Sequence, residues 1–286
     1  MRLFDTHAHL DLPTAGTLSE RRSAVRRAKS AGILDILIPG VTPASWSELQ
    51  TTAADLRAHV PSVRIHTAVG IHPYWVGDLN HLGISAIRAL LSEAVGSAPS
   101  SLVAIGECGL DFGRRGDAIA RSRQVALLDI HLERARDTGL PLLLHCVKAH
   151  AALLERLSAA PTPPCVLHSF SGSAELVKVY CRAGHYISFA GAITNPRARK
   201  PLAAARAVPD GQLLIETDCP DQTPFSRRGA RAVRNEPAFL VDIAEATARA
   251  RGTDADTVAA QTTANAYTVF GLSPHADPDA APGELR

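Results

Sequence analysis

The sequence predicts an α/β fold, a (β/α)8 TIM barrel of parallel strands, on three observations. Eight short apolar segments recur along the 286 residues, and each is followed by a longer stretch with helical periodicity. The apolar segments contain few alternating polar residues, which is typical of parallel strands buried on both faces. Histidine and carboxylate side chains stand where several of these strands end, at the C-terminal rim that carries the active sites of barrel enzymes.

The predicted strands and helices alternate in order along the chain. Strands are predicted at residues 2–6, 33–39, 63–70, 102–106, 142–145, 165–168, 186–189 and 213–217. Helices are predicted at residues 19–31, 44–58, 84–95, 118–138, 150–159, 174–183, 202–207, 237–250 and 256–270. Gly139 and Pro141 end the long fourth helix, because glycine favours a helix C-terminus and proline cannot continue one. A doubly wound open sheet is the alternative, but no glycine-rich phosphate-binding motif follows the first strand.

The sequence also predicts the number of domains, the cellular compartment and the oligomeric state. No linker divides residues 1–272, so we predict one domain there and a disordered tail at 273–286, which is rich in Pro, Ala, Asp and Gly. The five cysteines are scattered and form no CxxC pair, which argues against a disulfide framework and favours a reducing cytosol. No signal segment or membrane span is visible, and no coiled-coil heptad occurs. We therefore expect a cytoplasmic monomer.

The overall charge does not point to a particular partner. Thirty Lys and Arg residues against 28 Asp and Glu residues leave a formal net charge of +2. This balance gives no electrostatic argument for a nucleic acid or a membrane surface. Any prediction of a nucleic-acid substrate must therefore come from the residues of a site.

Metal-binding residue types stand at the ends of five predicted strands. His7 and His9 follow the first strand, and in extended backbone positions i and i+2 point to the same face. The fourth strand leads to Glu107, and the eighth leads through Glu216 to Asp218. The six candidate ligands are His7, His9, Glu107, His145, His168 and Asp218. Nitrogen and oxygen donors without thiolates suit Zn²⁺, Mn²⁺ or Fe²⁺, and also Mg²⁺ where carboxylates and water dominate.

Each of these residues has an ordinary structural interpretation when it is taken alone. His145 could be a hydrogen-bonded core histidine, Glu107 a polar group within the barrel, and Asp218 the cap of a turn. A barrel core has little use for four histidines and two carboxylates in one place, because burying unpaired charge costs several kcal/mol. A metal centre removes that cost. The convergence of the six side chains is therefore what favours a metal site.

At these residues the sequence resembles the TatD-type metal-dependent hydrolases, within the amidohydrolase-like barrels. The matching blocks arrive in order and span nearly the whole chain. They are FDTHAHLD at 4–11, GIHP at 70–73, IGECGLDF at 105–112, LH at 144–145, HSFSG at 168–172, LIETDCP at 214–220 and NEP at 235–237.

The resemblance implies a hydrolase with two divalent cations, which could be Zn²⁺, Mg²⁺ or Mn²⁺. It implies that His7, His9 and Asp218 hold one ion, that His145 and His168 hold the other, and that Glu107 bridges them. Two such ions activate a water molecule and stabilise charge at the attacked centre. Asp218 is the candidate general base, and Glu107 is the second candidate catalytic residue. Members of the family are best known as deoxyribonucleases that cleave phosphodiester bonds, often from a 3′ end, so DNA is the expected substrate.

Several residues near these blocks are candidate substrate contacts. His72 could contact a phosphate, and Trp75, with Tyr74 and Phe112 as further candidates, could stack on a base. Many relatives carry Ser-Arg after the histidine of the fifth strand, whereas this chain continues with Cys146, Val147 and Lys148. Lys148 can bind phosphate only as a point charge. The arginines at 227–231 and Arg234 could meet a nucleic-acid backbone.

Four further residues stand near the candidate ligands in the sequence, one carboxylate and three cysteines. Asp111 is expected to orient a ligand histidine. Cys108, Cys146 and Cys219 are left out of the site, because alternation along a strand points a neighbour of an inward residue away from the interior.

Two other functions stay open beside the deoxyribonuclease. The first is an amidohydrolase or an aminoacyl-ester hydrolase that uses the same two-metal centre. The second is a barrel that binds metal without turnover, which would need a fully coordinated ion and no open position for water.

Overall fold

In the described part of the chain, eight parallel strands pair in sequence order, from β1 to β8. The computed structural model describes residues 1–113, 121–229 and 233–275. The strands are β1 (Leu3–Asp5), β2 (Ile33–Pro39), β3 (Arg64–Val69), β4 (Leu102–Asp111), β5 (Leu142–Val147), β6 (Cys165–Leu167), β7 (Tyr186–Phe189) and β8 (Leu213–Ile215). The helices are α1 (Leu18–Ser30), α2 (Trp46–His59), α3 (Ile84–Gly96), α4 (Arg121–Thr138), α5 (His150–Ser158), α6 (Ala174–Arg182), α7 (Arg199–Ala207), α8 (Leu240–Arg251) and α9 (Ala255–Val269). The predicted (β/α)8 barrel is confirmed.

Some of the predictions fall on residues that the structure does not describe. Residues 118–120 of the predicted fourth helix, Arg231 of the arginine-rich loop and residues 276–286 of the predicted tail lie outside the described ranges. Among the described residues, no helix is both long and apolar enough to cross a membrane.

The barrel closes between the first and the last strand through the chain that follows each of them. The amide of Asp218 donates to the His7 carbonyl over 2.9 Å, and the amide of His9 donates to the Cys219 carbonyl over 2.7 Å. Below these bonds, the buried Asp5 carboxylate accepts from the amide and the hydroxyl of Thr217, at 2.9 and 2.6 Å. Burial raises the pKa of Asp5 to about 7, although these bonds oppose the rise. Closure therefore places His7 and His9 beside Asp218.

The strands β4 and β5 are longer than the sequence indicated. The fourth strand was predicted to end at residue 106, but β4 continues to Asp111 after a shift of register between Ile105 and Cys108. Beyond the shift, Gly109 pairs with His145, and a Cβ atom at Gly109 would lie 2.1 Å from the His145 carbonyl oxygen. This prediction was wrong because the extended pairing depends on that close approach between two strands. Glu107 thus lies within a strand and not at its end.

Strand alternation divides the apolar side chains into two groups. On β5, Leu142 and Leu144 belong to the layer between the strands and the helices. Leu143 belongs to a smaller cluster inside the barrel, together with Phe4, Leu37, Ala68, Val103, Val166 and Leu214. The same cluster includes Val269 and Phe270 at the end of α9, so this helix covers one end of the barrel. The other end carries the polar side chains.

A buried carboxylate anchors α9 to the strands at this covered end. Asp35 of β2 is fully buried and receives the guanidinium of Arg64 on both of its oxygens, at 2.7 and 3.2 Å. His66 lies 2.9 Å from one oxygen, and the Tyr267 hydroxyl donates to the other over 2.9 Å. The nitrogen of His275 is also 2.9 Å from this second oxygen. Burial opposes the charge, but His66 and Arg64 outweigh it and lower the pKa of Asp35.

We expect Asp35→Ala to lower the free energy of unfolding by about 3–5 kcal/mol, because it leaves the half-buried Arg64 without its carboxylate. Since the pKa of Asp35 lies below its ordinary value of 3.8, its contribution is complete above pH 3.8 and is lost as the pH falls through the folded-state pKa. Urea unfolding at pH 7 and at pH 3 measures both effects. The exposed Asp78→Ala serves as the control and should change stability by less than about 0.5 kcal/mol. Equal stability of the two variants at pH 7 would contradict the prediction.

Candidate metal centre

Glu107 lies at the centre of the polar end of the barrel, and its two carboxylate oxygens face different histidines. The side chain is almost fully buried. Its Oε2 is 3.2 Å from Nε2 of His7 and 3.3 Å from Nε2 of His9. Its Oε1 is 3.2 Å from Nδ1 of His145 and 2.8 Å from Nε2 of His168. One carboxylate therefore links two separate groups of nitrogen atoms.

The first group has the spacing of ligands around one small cation. The Nε2 atoms of His7 and His9 are 3.1 Å apart, and each is 3.7 Å from Oδ1 of Asp218. Ligand atoms that surround Zn²⁺ tetrahedrally at about 2.1 Å would be about 3.4 Å from one another. Oε2 of Glu107 and Oδ1 of Asp218 both lie within 3.7 Å of the two imidazole nitrogens, close to this spacing. His7, His9 and Glu107 are near enough to one another to hold a cation.

The second group contains His145, His168 and a further histidine, His72. Nδ1 of His145 is 3.3 Å from Nε2 of His168, and Nε2 of His72 is 3.2 Å from both Nδ1 of His145 and Oε1 of Glu107. The Nδ1 atom of His72 accepts the Tyr74 amide over 3.0 Å, so a neutral His72 carries its proton on Nε2. His72 therefore presents a donor to this group, whereas the other two histidines can present lone pairs.

A carboxylate lies close to the second ring nitrogen of each of these two histidines. The Nε2 atom of His145 lies 3.1 Å from Oδ2 of Asp111, so its hydrogen bond leaves Nδ1 free. The Nδ1 atom of His168 lies 3.3 Å from Oε1 of the fully buried Glu216, which is an ion-pair distance without hydrogen-bond geometry. Outer carboxylates of this kind commonly orient histidine ligands of metals. Asp111 thus has the contact expected from the sequence.

Within the described residues, the buried Nδ1 atoms of His7 and His9 have no hydrogen-bond partner. Their Nε2 atoms nevertheless converge on the same carboxylate oxygen of Glu107. Buried imidazoles with so few partners are costly in a folded core, whereas a cation shared by their Nε2 atoms would compensate that cost. The donor set therefore fits divalent metal ions that accept both nitrogen and oxygen ligands.

The close packing of charges shifts several pKa values. Burial opposes the ionisation of Glu107, but His168, His72 and His7 lower its pKa well below the ordinary range. Burial also opposes protonation of His9, yet the bond to Glu107 and the charges of Glu107 and Asp218 raise the pKa of His9 to about 9. Burial lowers the pKa of His72 to about 4 and also lowers that of His7. Without a cation, the centre thus holds an ionised carboxylate and at least one imidazolium.

A cavity of about 500 Å³ opens onto this centre from the C-terminal side of the barrel. Its wall includes Tyr74 and Trp75, which are 37% and 40% exposed and so offer aromatic surface to a ligand. Polar side chains of Ser169, Asp221 and Gln222 line another part of the wall. The volume is within the range of small-molecule sites and suits a ligand of roughly one nucleotide.

The structure brings together all six candidate ligands named from the sequence, and it places His72 among them. Trp75 lines the cavity, as does Tyr74. Lys148 is exposed and follows Val147 of the wall, but its own side chain is not part of the lining. The ring of Phe112 lies 4.8 Å beneath the Arg121 guanidinium and does not line the cavity.

The three described arginines of the loop after β8 have partners within the protein. Arg227 binds the Asp242 carboxylate, at 2.9 Å. The Arg228 side chain donates to the Thr223 carbonyl, and the Arg234 side chain donates to the Thr14 carbonyl. The described arginine side chains thus stabilise the loop and its contacts with neighbouring segments. A role for them in binding a nucleic-acid backbone stays a prediction.

Among the three cysteines that sequence analysis leaves out of the site, Cys146 borders the cavity, but its thiol contacts α5 and none of the candidate ligands. Cys108 and Cys219 are buried and do not line the cavity, but Cys146 does. Its Sγ lies 3.3 Å from Nδ1 of His150, at the start of α5. Cys146 also packs against the apolar layer between the strands and the helices. This direction agrees with strand alternation, because the preceding His145 faces Glu107.

Sequence reasoning missed two residues that contact the candidate ligand Asp218 or its surroundings. The Gln222 amide donates to Oδ2 of Asp218 over 2.6 Å and also donates to the Ser169 hydroxyl. The Ser169 amide in turn donates to Glu216 over 2.5 Å. Gln222 stands in an irregular turn, and no periodicity or motif in the sequence indicates which way its side chain points.

Comparison with known proteins identifies the family. The family model described as TatD related DNase matches residues 4–271. The uncharacterized metal-dependent hydrolase YabD of Bacillus subtilis is 30% identical over 273 residues, covering 95% of this chain and 100% of that protein. The 3′-5′ ssDNA/RNA exonuclease TatD of Erwinia amylovora is 32% identical over 269 residues, covering 92% and 98%. The crystal structure of YjjV, a TatD homolog from Escherichia coli, matches with a TM-score of 0.82 at 30% identity, covering 95% and 99%.

This chain therefore belongs to the TatD-related DNase family. The family membership confirms the resemblance that the sequence blocks indicated, and it makes the protein a metal-dependent hydrolase. It also agrees with the geometry of the polar end of the barrel, where histidine and glutamate side chains are grouped closely enough to bind metal.

We expect metal binding at pH 7 to release protons, because His9, with its pKa of about 9, is protonated at that pH and must lose its proton before Nε2 can bind a cation. The apparent affinity should therefore rise with pH until about pH 9. Calorimetric titration with Mn²⁺ in buffers of different ionisation enthalpy counts the released protons. His9→Gln should release fewer. A binding enthalpy that is the same in every buffer, with equal affinity at pH 6 and pH 9, would refute the expectation.

Proposed function

We propose that this protein is a two-metal phosphodiesterase that removes nucleotides from the 3′ end of DNA. The proposal depends on the two oxygens of the Glu107 carboxylate, which contact different histidines. One oxygen lies 3.2–3.3 Å from His7 and His9, and the other lies 2.8–3.2 Å from His168 and His145. A bridging carboxylate between two sets of nitrogen ligands is what a pair of cations needs.

The proposed ligands follow from the two groups of atoms. His7, His9 and Asp218 would hold one ion, His145 and His168 would hold the other, and Glu107 would bridge them. The abundance of imidazole favours Zn²⁺ or Mn²⁺, while Mg²⁺ stays possible where water completes the shell. When bound, two such ions supply charge neutralisation at a phosphate and activation of a water molecule.

Two side chains of the cavity, Asp218 and His72, would act directly on water and on the substrate. Asp218 is largely buried but lines the cavity, so its carboxylate can take a proton from an attacking water molecule. The Nε2–H of His72 can donate to a phosphate oxygen, since its Nδ1 is occupied by the Tyr74 amide. The burial that lowers the pKa of His72 to about 4 keeps this donor neutral at pH 7.

The shape of the cavity supports cleavage at a chain end. A volume of about 500 Å³ suits one nucleotide, and the exposed faces of Tyr74 and Trp75 can stack on its base. Lys148 would contact the next phosphate outside the cavity as a point charge. The name of the Erwinia amylovora relative, a 3′-5′ ssDNA/RNA exonuclease, supports the same polarity and a single-stranded substrate.

A panel of substrates tests this proposal against the other hydrolases. Purified protein, first freed of metal and then supplied with Zn²⁺, Mn²⁺ or Mg²⁺, is assayed on 3′-labelled and 5′-labelled single-stranded DNA, on RNA, and on amide and carboxylic ester substrates. We expect mononucleotides to be released from the 3′ end. Turnover of amides or esters alone would replace the phosphodiesterase with an amidohydrolase or ester hydrolase, and tight metal binding without any turnover would support a binding protein.

We expect Glu107→Gln to lower kcat/KM for DNA by more than about 100-fold, because outer partners that only orient a ligand already cost about 10–100-fold. The amide has the shape of the carboxylate but neither its charge nor its second acceptor oxygen. Glu93→Gln, the same change at an exposed position on α3, is the control and should retain full activity. Activity within a few fold of the wild type in Glu107→Gln would eliminate the bridging role.

We expect Trp75→Ala to raise KM for single-stranded DNA by about 5- to 150-fold with a smaller effect on kcat, because stacking is worth about 1–3 kcal/mol for each base. Steady-state kinetics on an oligonucleotide measure the split. Val179→Ala removes an equally exposed apolar side chain from α6, away from the cavity, and should leave KM unchanged. An unchanged KM in Trp75→Ala would show that the terminal base does not stack there.

A further inference from the structure

The turn that follows β8 carries a side-chain amide directly behind Asp218. The Gln222 Nε2 group donates to Oδ2 of Asp218 over 2.6 Å. The other oxygen of Asp218, Oδ1, faces Nε2 of His7 and of His9 at 3.7 Å. The two oxygens of one carboxylate are thus divided between a neutral donor on one side and the proposed first cation on the other.

The same amide connects Asp218 to the end of β6. Gln222 also donates to the Ser169 hydroxyl, and the Ser169 amide donates to Oε1 of Glu216 over 2.5 Å. Ser169 directly follows His168, whose Nε2 belongs to the second group of nitrogens around Glu107. Gln222 therefore joins a proposed ligand of one ion to the residue beside a proposed ligand of the other.

Contacts that do not involve the Gln222 side chain hold the backbone of the turn in place. The Asn235 side chain donates to the carbonyls of Thr217 and Asp221, at 2.8 and 2.6 Å. The Gln222 carbonyl packs so closely on Gly191 that a Cβ atom there would lie 1.7 Å from the oxygen. These contacts fix the backbone on both sides of Gln222, and the fixed backbone directs its side-chain amide towards Asp218.

Asp218, Gln222 and Ser169 also share an uncommon backbone conformation. Their φ angles are 52°, 51° and 43°, in the left-handed region that residues other than glycine rarely adopt. Such conformations tend to occur at functional sites and persist only where the surrounding structure imposes them. Here they aim three side chains at one another across the wall of the cavity.

We propose that Gln222 is a positioning residue, which fixes the rotation of the Asp218 carboxylate so that Oδ1 alone faces the first cation. An amide suits this role because its NH2 group binds a carboxylate oxygen without bringing a positive charge that would compete with the metal. The proposal rests on the assignment of Asp218 as a ligand under the proposed function. It concerns the segment that directly follows the LIETDCP block.

The test uses Gln222→Met, which keeps the length of the side chain and removes both donors. Calorimetric titration of the metal-free protein with Mn²⁺ should show an affinity about 10–100-fold lower for one of two ions and little change for the other, as is common when a ligand loses its orienting partner. Gln50→Met, the same change at a half-buried position on α2, is the control and should bind both ions as the wild type does.

A double-mutant cycle with Asp218→Asn separates positioning from general support of the fold. If Gln222 acts through Asp218, Gln222→Met should cause no further loss of metal affinity in the Asp218→Asn background. Equal losses in the two backgrounds, or an unchanged affinity in Gln222→Met alone, would overturn the proposal. Thermal unfolding of the metal-free variants verifies that each one is folded.

This experiment distinguishes the proposal from the proposed function because metal titration needs no turnover. If the wild type binds two ions but cleaves no nucleic acid, the proposed phosphodiesterase activity is refuted. The positioning role of Gln222 is then still decided by the metal titration of Gln222→Met. If Asp218→Asn itself leaves metal binding unchanged, the ligand assignment fails, and the positioning role of Gln222 fails with it.

Discussion

The buried carboxylate of Glu107 is the constraint on which the polar end of this barrel depends. A lone carboxylate in such a place would be expensive, because transfer of an unpaired charge out of water costs several kcal/mol. Here five imidazoles surround it within 3.3 Å, and they lower its pKa well below the ordinary range although burial opposes ionisation. The buried imidazoles in turn need the negative charge of Glu107 as a hydrogen-bond acceptor and ion-pair partner. Carboxylate and histidines are therefore stable only as a set, or with cations between them.

The barrel provides this set by uniting distant parts of the chain. Closure between β1 and the segment after β8 places His7 and His9 beside Asp218, and Asp5 binds Thr217 just beneath. The register shift in β4 lies at Glu107, and beyond it β4 continues along β5 so that Gly109 pairs with His145. The covered end of the barrel contributes to stability, because Asp35 and its partners join α9 to the strands there. Stability and chemistry are thus located at opposite ends, as in other barrel enzymes.

The walls of the cavity combine two kinds of surface that fit a nucleotide. Aromatic faces at Tyr74 and Trp75 offer stacking without base specificity, while the Nε2–H group of His72 offers a hydrogen-bond donor near the centre. Asp221 adds a carboxylate to the same wall, which would repel a second phosphate close to it. A substrate that presents one phosphate to the centre and one base to the aromatic wall satisfies both surfaces.

The sequence by itself determined the order of strands and helices, the barrel, the family and the side chains that converge at its rim. These are local properties, because apolar runs, helical periodicity and short motifs such as HAH and ETD are visible in neighbouring residues. Tertiary structure alone decided the length of β4, the approach of His72 to Glu107 and the contact of Gln222 with Ser169. Each of these depends on a close approach between segments far apart in the chain, and pairing across space leaves no periodic signal in the sequence.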